Sequence, residues 1–310
     1  MNPRKLKLTD SLKNLKATKL FFTLFFLFAL CTQGFSQLVQ QPVGMEFGLK
    51  SKFNSTFIRA NKISEIRCDV EIKKDGDRIR DAFRVDVYHF YENGDLKMIS
   101  HINQKLRDTS ITFFEYTNGR LECEVKNDAA GMFSYCYEYD KEDRPKSLKY
   151  GRAERYSSLT ASLDRSLGTE ITSENYTYNE YENQLHSTLH NSAGRPYLKE
   201  IRYFDSNGYL EKYLKTFVMS SSKLEETYGY NSHGWLAEKV VSDGSNPYRL
   251  EYTYDEVGNI LEERRIENEE EIYRTEYVYT GANMHLKAEL KREEKNQLIV
   301  ITTYEYKYRK

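Results

Sequence analysis

The sequence has few prolines, few glycines and a single long apolar run. Among 310 residues there are 5 Pro and 16 Gly, which excludes collagen-like and low-complexity chains because those classes are rich in these residues. The one apolar run, residues 20–31, excludes a protein with many transmembrane helices, since each helix needs about 20 apolar residues. The net charge of −1 leaves no basic surface of the kind that binds nucleic acid.

Aromatic residues are abundant instead. They make up 14% of the chain, with 26 Tyr and 16 Phe, and charged residues make up 30%. Disordered chains are poor in aromatics, so this composition favours a folded protein.

The first 36 residues have the pattern of a secretory signal peptide. Six basic residues and one acidic residue precede the apolar run, and Gly34 and Ser36 are small residues that suit cleavage after Ser36. Leu30 before Cys31 disfavours a lipoprotein signal, and an uncleaved anchor is the alternative. Cleavage leaves 40 Lys and Arg against 46 Asp and Glu. We therefore expect an exported protein of the periplasm, cell surface or medium that has no membrane span and does not bind nucleic acid.

The rest of the chain is a repeat of about 25 residues. Each copy has an aromatic residue, any residue, a second aromatic, a polar turn and then Leu or Ile. The second aromatics are Phe90, Tyr116, Tyr139, Tyr178, Tyr203, Tyr230, Tyr254, Tyr279 and Tyr306. Within a copy, Leu250, Tyr252 and Tyr254 alternate with polar residues, which predicts a half-buried strand before a tight turn at Gly258. Each repeat is thus predicted to be one β-hairpin.

The predicted fold is an all-β array of 16 to 18 antiparallel strands in sequence order. Because twisted sheets of more than about 10 strands curl, split or close, we expect an elongated meander or a partial shell with a tyrosine ladder inside. The domains are a signal peptide (1–36), a cap segment (37–62) and the repeat domain (63–310) with an insert at about 151–168. Met45, Leu49, Phe53 and Phe57 predict a short helix in the cap, which should cover the first sheet edge. In the insert, Leu spacing suits either a short helix or a long loop.

The repeat resembles a known bacterial family. Residues 252–261, YTYDEVGNIL, are similar to the YD repeat of Rhs-type proteins, as are 203–210 and 230–236, and YHFYENGDLK at 88–97 is similar to a MORN-like variant repeat. The resemblance covers about residues 63–310. It implies a small exported relative of proteins whose repeats form a hollow shell around a toxic domain. The chain ends in a repeat strand at Lys310, so the carrier function is not implied.

The sequence lacks the common catalytic and cofactor-binding motifs. There is no phosphate-binding loop, dinucleotide fingerprint or GxSxG motif, so we predict no catalytic residue, no metal and no cofactor. His186 and His190 would lie about 13 Å apart on a strand, which is too far for one metal ion. Cys123 and Cys136 flank a turn and would form a disulfide if Ala129 and Ala130 make a two-residue loop. The tyrosine pattern favours a register shifted by one residue, which would leave the thiols free.

Aromatic residues outside the motif are the candidate ligand site. The repeat tyrosines are explained by packing, whereas the repeat does not require Trp235, Tyr197, Tyr209, Tyr213 and Tyr248. We predict an exported, non-enzymatic binding or scaffold module for a protein or polysaccharide of the cell envelope. The alternatives are an accessory or immunity component of an Rhs-like toxin system and a glycan-active enzyme. Edge-to-edge association of protomers is also left open. A transmembrane barrel is disfavoured because charged residues occur on both strand faces at residues 261–265.

Overall fold

The computed structural model describes residues 37–40, 52–153, 167–244, 246–281 and 284–310. The predicted signal peptide, the first part of the predicted cap helix and most of the predicted insert helix lie outside these residues. Where the chain is described, no helix is long and apolar enough to cross a membrane.

The described chain consists of one short helix and 18 strands. The helix is α1 (Ser55–Ala60). The strands are β1 (Ile63–Lys74), β2 (Arg80–Phe90), β3 (Leu96–Asn103), β4 (Asp108–Thr117), β5 (Arg120–Asp128), β6 (Gly131–Tyr139), β7 (Pro145–Ala153), β8 (Leu167–Tyr181), β9 (Gln184–His190), β10 (Pro196–Phe204), β11 (Leu210–Phe217), β12 (Lys223–Tyr230), β13 (Leu236–Ser242), β14 (Tyr248–Tyr254), β15 (Ile260–Glu267), β16 (Glu270–Tyr279), β17 (Leu286–Glu293) and β18 (Leu298–Tyr308). The all-β hairpin array is confirmed.

The array closes into an 18-stranded barrel. Every strand pairs antiparallel with its neighbours in sequence, and β1 also pairs with β18, with Cys68 opposite Tyr304. The predicted open meander or partial shell is therefore wrong. The physical reason is that β1 and β18 are both long, 12 and 11 residues, and set Ile66 beside Tyr306 on one apolar face. Edge-to-edge association stays a prediction, and it would require this ring to open.

Most aromatic pairs of the repeat face the inside of the barrel. In β10 the inward positions are instead those of buried Arg202 and of Phe204, which packs on the core around Tyr213, so the predicted second aromatic Tyr203 lies on the other face. Tyr88, Tyr254 and Tyr306 pack on the core that also contains Leu38 and Phe53 of the N-terminal segment. The buried residues of that core lie on β1 to β5 and on β15, β17 and β18, on both sides of the closure between β1 and β18, so the segment lies within the ring.

Because alternate hairpin turns lie at the same end of an antiparallel barrel, the turns that follow the aromatic pairs all lie at one end, which we call the motif rim. These turns are β2–β3, β4–β5, β6–β7, β8–β9, β10–β11, β12–β13, β14–β15 and β16–β17.

An aspartate or asparagine side chain folds several of the turns. In the β14–β15 turn, Asp255 Oδ1 accepts hydrogen bonds from the amides of Val257 at 3.0 Å and Asn259 at 2.8 Å. Gly258 has φ +90° there, a conformation that glycine adopts without steric cost. Asp140, Asp205 and Asn231 make the same pair of bonds in other turns of the motif rim. Asn191 makes it in the β9–β10 turn at the opposite end of the barrel. The polar residue that follows the aromatic pair is thus part of the turn itself.

Tyrosine hydroxyls tie successive hairpins together. Tyr254 donates its hydroxyl to the carbonyl of Leu236, the first residue of the neighbouring strand, at 2.6 Å. The same bond joins Tyr139 to Leu121, Tyr178 to Pro145, Tyr230 to Leu210, Tyr279 to Ile260 and Tyr306 to Leu286. A half-buried carbonyl next to a turn is satisfied in this way, which explains why this position of the repeat favours tyrosine over phenylalanine.

Replacing Tyr254 by phenylalanine should lower the free energy of unfolding by about 1 kcal/mol, because the Leu236 carbonyl loses its donor. The matched control is Tyr181→Phe, since Tyr181 is 59% exposed. Urea unfolding would measure both variants. Equal midpoints for the two variants would contradict a stabilising role of the hydroxyl ladder.

The N-terminal segment fills part of the barrel at the motif rim. Leu38, Phe53 and Ile58 are almost fully buried, and Val39 and Phe53 form an isolated β-bridge. Within the described residues, the predicted cap helix corresponds to the six residues of α1, whose start is capped by Asn54 Oδ1. The cap was expected to cover an open sheet edge, but the edge of β1 is paired with β18, so the segment packs inside the ring.

The register of β5 and β6 sets the two cysteines opposite each other. Cys123 pairs directly with Cys136 and the two are joined in a disulfide, with the Cα atoms 4.1 Å apart. The two-residue loop at Ala129 and Ala130 gives this register. The inward aromatic face is kept because β5 has a bulge at Glu122, so that Cys123 lies opposite Glu115 while Leu121 lies opposite Tyr116. Cys68 is a buried free cysteine.

Candidate functional site

A belt of carboxylates runs around the inside of the barrel. On strands that approach the motif rim the acid lies two residues before the aromatic pair, as in Asp86 before Tyr88, so both side chains share the inner face. On returning strands the acid lies opposite an inward aromatic residue, as Glu263 does opposite Tyr252. The interior belt consists of Asp86, Glu124, Glu174, Glu200, Glu226, Glu263 and Glu289.

Glu200 is the acid of the interior belt that lies between buried Tyr213, Ser187 and Arg202. One carboxylate oxygen accepts a hydrogen bond from the Tyr213 hydroxyl at 2.6 Å, and the other accepts one from Ser187 Oγ at 3.0 Å. Arg202 forms an ion pair with the same carboxylate at 3.3 Å and lies over the Tyr213 ring. All four side chains are buried. A buried carboxylate is tolerated because the cation and the donors compensate it.

The other acids of the belt have similar partners. Glu226 accepts the Tyr228 hydroxyl and pairs with Lys239 at 2.9 Å. Asp86 contacts the His101 ring nitrogen Nδ1 at 2.7 Å and also pairs with Arg84.

The N-terminal segment joins the same belt. Lys52 lies 2.6 Å from Glu289 and 2.6 Å from the Tyr304 hydroxyl. The belt is therefore a set of acid, cation and hydroxyl groups, each engaged with its own partners.

Burial sets the protonation of these groups. It raises the pKa of Tyr137 to about 12, and the pKa of Tyr213 lies far above its ordinary value, mainly through burial. Burial also raises the pKa of Glu263. The interior tyrosines therefore stay protonated as hydrogen-bond donors at neutral pH.

Three of the five predicted ligand-binding aromatics lie in this interior. Tyr213 is fully buried beside Glu200. Tyr197 donates its hydroxyl to Glu174 at 2.6 Å. The Arg265 guanidinium stacks over the Tyr248 ring at 3.9 Å. Each of these rings thus has a packing role, and none of the three is exposed at the motif rim.

The other two predicted aromatics meet at the motif rim. Tyr209 and Trp235 occupy equivalent positions, each directly after the glycine of its turn. Tyr209 is 41% exposed, and its hydroxyl lies where a side chain at Gly234 would be. Trp235 stacks on exposed His233 with ring centroids 4.7 Å apart. Tyr209, His233, Gly234 and Trp235 thus form one continuous surface, which we call the rim patch.

The position of the rim patch residues follows a rule that the sequence comparison missed. The residue just before the first residue of a returning strand covers the second tyrosine of the next repeat. Trp235 covers Tyr254, Tyr209 covers Tyr230, His285 covers Tyr306 and Arg144 covers Tyr178. Trp235 and Tyr209 therefore belong to the motif. Aligning the repeats would have shown this position, because it has the same place in each copy although the residue type varies.

The described residues contain no group of three or more His, Cys, Asp or Glu arranged to hold a metal ion. His186 and His190 both lie on β9, where the His186 Nε2 contacts Gln184 Oε1 at 2.9 Å.

No protein-family model and no curated protein matches the chain. Among solved structures, it is similar to a porin-like protein from Bacteroides uniformis ATCC 8492, at 10% identity over 80% of this chain and 97% of that chain, with a TM-score of 0.35. A porin-like protein from Bacteroides vulgatus ATCC 8482 is similar at 10% identity over 80% and 98%, with a TM-score of 0.33. The TcdB2-TccC3-Cdc42 structure matches at 14% identity over 75% of this chain and 14% of that chain, with a TM-score of 0.28.

These findings correct the family resemblance. The assignment to Rhs-type YD repeats or MORN-like repeats is wrong, because no family model matches and the strands close into a barrel. The role in an Rhs-like toxin system depended on that resemblance and is dropped with it. The identities and TM-scores are too low for the similarities to carry an argument about function.

Proposed function

We propose that the protein is an exported, non-enzymatic binding protein of the cell envelope that holds a polysaccharide on its rim patch. The observation that carries this proposal is the pairing of Tyr209 with Trp235 at equivalent places on consecutive hairpins. At one polar edge, the exposed ring of Tyr209 and the stacked rings of His233 and Trp235 offer apolar surface to a ligand, with polar turn residues beside them. This combination suits a sugar chain, whose rings have apolar faces and hydroxyl edges.

The spacing of the two rings supports an extended ligand. Tyr209 and Trp235 precede β11 and β13, which are two strands apart in the barrel. Two strand spacings correspond to about 10 Å. A β-linked glycan laid across the turns therefore meets one ring at about every second sugar unit. The ligand runs along the rim and has no need to enter the barrel.

A non-enzymatic role is supported by the state of the interior carboxylates. Glu200 and Glu226 are each held by a tyrosine hydroxyl and a cation of their own. A hydrolase needs two carboxylates that face a common bond, one of them able to give up a proton. Acids that are buried in separate clusters suit a structural role.

The charged residues on the outer face of the barrel suggest that this face contacts water. Arg264 pairs with Glu251 at 2.6 Å and with Glu262 at 3.2 Å, and Arg274 pairs with Glu271 at 3.0 Å. These outward side chains on β14, β15 and β16 form a connected network of ions. Lipid-facing positions of a barrel do not tolerate such charges, so we place the protein in the aqueous part of the envelope.

Replacing Trp235 by alanine should weaken polysaccharide binding about tenfold, because one stacking surface is lost. The measurement is affinity electrophoresis of the exported protein in native gels. Separate gels contain polysaccharide extracted from the source envelope, hydroxyethyl cellulose or glycol chitin. The matched control is Phe217→Ala, an aromatic residue that is 39% exposed at the opposite end of the barrel.

The proposal requires retardation in at least one gel that Trp235→Ala reduces and Phe217→Ala does not. Retardation in no gel would contradict it, as would equal loss in both variants. If the envelope extract yields a protein ligand instead, the rim patch is not a polysaccharide site.

A further inference from the structure

A cavity opens on the motif rim beside the rim patch. It has a volume of about 520 Å³ and lies between the β6–β7, β8–β9 and β10–β11 turns. The last of these turns also carries Tyr209, so the cavity and the rim patch share one turn. We call it the rim cavity. The residues that line it include five charged side chains and one exposed aromatic ring, namely Glu142, Arg144, Glu180, Glu182, Asp205 and Tyr181.

The rim cavity has a negative lining. Four carboxylates stand against one guanidinium, that of Arg144. Arg144 is already held by Asp140 at 2.8 Å and by Glu142 at 3.2 Å, and it also pairs with Glu180. Glu182 is exposed and forms no ion pair within the described chain. An entering anion would meet these carboxylates, so the electrostatics favour a cation.

The rim cavity also has an aromatic wall. Tyr181 is 59% exposed and packs on His186 with ring centroids 4.6 Å apart, and Phe204 lines the same cavity. An aromatic face attracts a cation and also stacks on a sugar ring. A metal ion would make no use of this wall.

We infer that the rim cavity is a subsite for an amino sugar, a sugar unit with a free, protonated amine. The inference rests on the proposed polysaccharide binding at the rim patch. A glycan that stacks on Tyr209 reaches the rim cavity across the shared turn. There its amine meets Glu182 and its ring meets Tyr181. The ligand class is therefore a glycan with free amino groups.

The test compares two glycans that share one backbone and differ at one group, which is N-acetylated in one and a free, protonated amine in the other. Fully N-acetylated chitohexaose and its fully deacetylated counterpart share one backbone, and calorimetric titration of the exported protein would give both affinities. We expect the deacetylated hexaose to bind about fivefold more tightly at low salt. This preference should shrink at high salt, because exposed charge pairs are screened.

Glu182→Gln should remove most of the preference and leave the affinity for the acetylated hexaose unchanged. The matched control is Glu256→Gln, since Glu256 is an exposed carboxylate on a neighbouring rim turn and does not line the rim cavity. A preference that both variants lower equally would reflect the charge of the whole rim and would overturn the subsite.

The outcomes separate this inference from the proposed function. Equal affinity for the two hexaoses, or preference for the acetylated one, overturns the amino-sugar subsite while polysaccharide binding stands. If neither hexaose binds, the subsite is overturned, and the gels with other polysaccharides still decide the proposed function. If Trp235→Ala weakens binding of both hexaoses and Glu182→Gln weakens only that of the deacetylated one, both inferences are supported.

Discussion

Replacing Arg202 by methionine should destabilise the barrel by about 3–5 kcal/mol. Arg202 is 4% exposed and is the cation paired with Glu200, which is 8% exposed. Methionine fills a similar volume but leaves the carboxylate buried with only the hydroxyls of Tyr213 and Ser187. An uncompensated buried charge is among the costliest single changes in a protein. Urea unfolding followed by circular dichroism would measure the loss.

The double variant Glu200→Gln with Arg202→Met is the control for this prediction. It removes both charges, and the glutamine retains hydrogen-bonding capacity toward Tyr213 and Ser187. Replacing both members of a buried ion pair is often close to neutral, so the double variant should regain most of the lost stability. If the double variant instead loses as much stability as the single variants Glu200→Gln and Arg202→Met together, the two side chains are not coupled.

Replacing Gly94 by alanine should cost about 2 kcal/mol more than the same change at an open turn glycine. Gly94 has φ +93°, and a Cβ there would overlap the Ser55 carbonyl at the start of α1. The N-terminal segment must shift to make room, and overpacking of this kind typically costs 1–3 kcal/mol. Thermal or urea unfolding would measure the difference.

The matched control is Gly194→Ala. Gly194 has φ +72°, and a Cβ there would have no neighbour within 4 Å, so this variant reports only the backbone strain, about 1 kcal/mol. Trypsin gives a second readout, because displacement of α1 should speed cleavage after Arg59 in Gly94→Ala alone. Equal stabilities and equal cleavage in the two variants would show that α1 is not docked on this turn.

The hairpins could be predicted from the sequence because they are set locally. Alternation such as Leu250, Tyr252 and Tyr254 against polar neighbours specifies one inner face, and an aspartate with a glycine three residues later specifies the turn. These signals depend on residues within a few positions of each other. The 25-residue period then repeats them along the chain.

Closure could not be predicted, since it depends on curvature summed over all the strands. Nothing near Ile66 in the sequence indicates that Tyr306 lies beside it. The place of the N-terminal segment follows from closure as well, because only a closed ring offers an interior. The segment that was expected to cover a sheet edge therefore packs inside the barrel.

The acids of the interior belt have a regular spacing in the sequence, but the many other acidic residues hide it. Glu226 and Glu174 each lie two residues before the first tyrosine of a pair, a spacing that places acid and ring on one face. Among 47 acidic residues this spacing did not stand out. Trp235 and Tyr209 were predicted to lie outside the repeat, whereas aligning the residue before each Leu shows that they share one place in it.

The pairing of the first strand with the last has a consequence for how the chain folds. The Thr303 hydroxyl bonds to the Asp69 carbonyl, 234 residues earlier in the chain. Contacts of such high sequence separation slow folding. Until β18 is in place, β1 keeps an open edge that other chains can pair with. As the chain is synthesised, the interval between emergence of the first and last strands is therefore the period of greatest exposure to aggregation, and it ends only with the final eleven-residue strand.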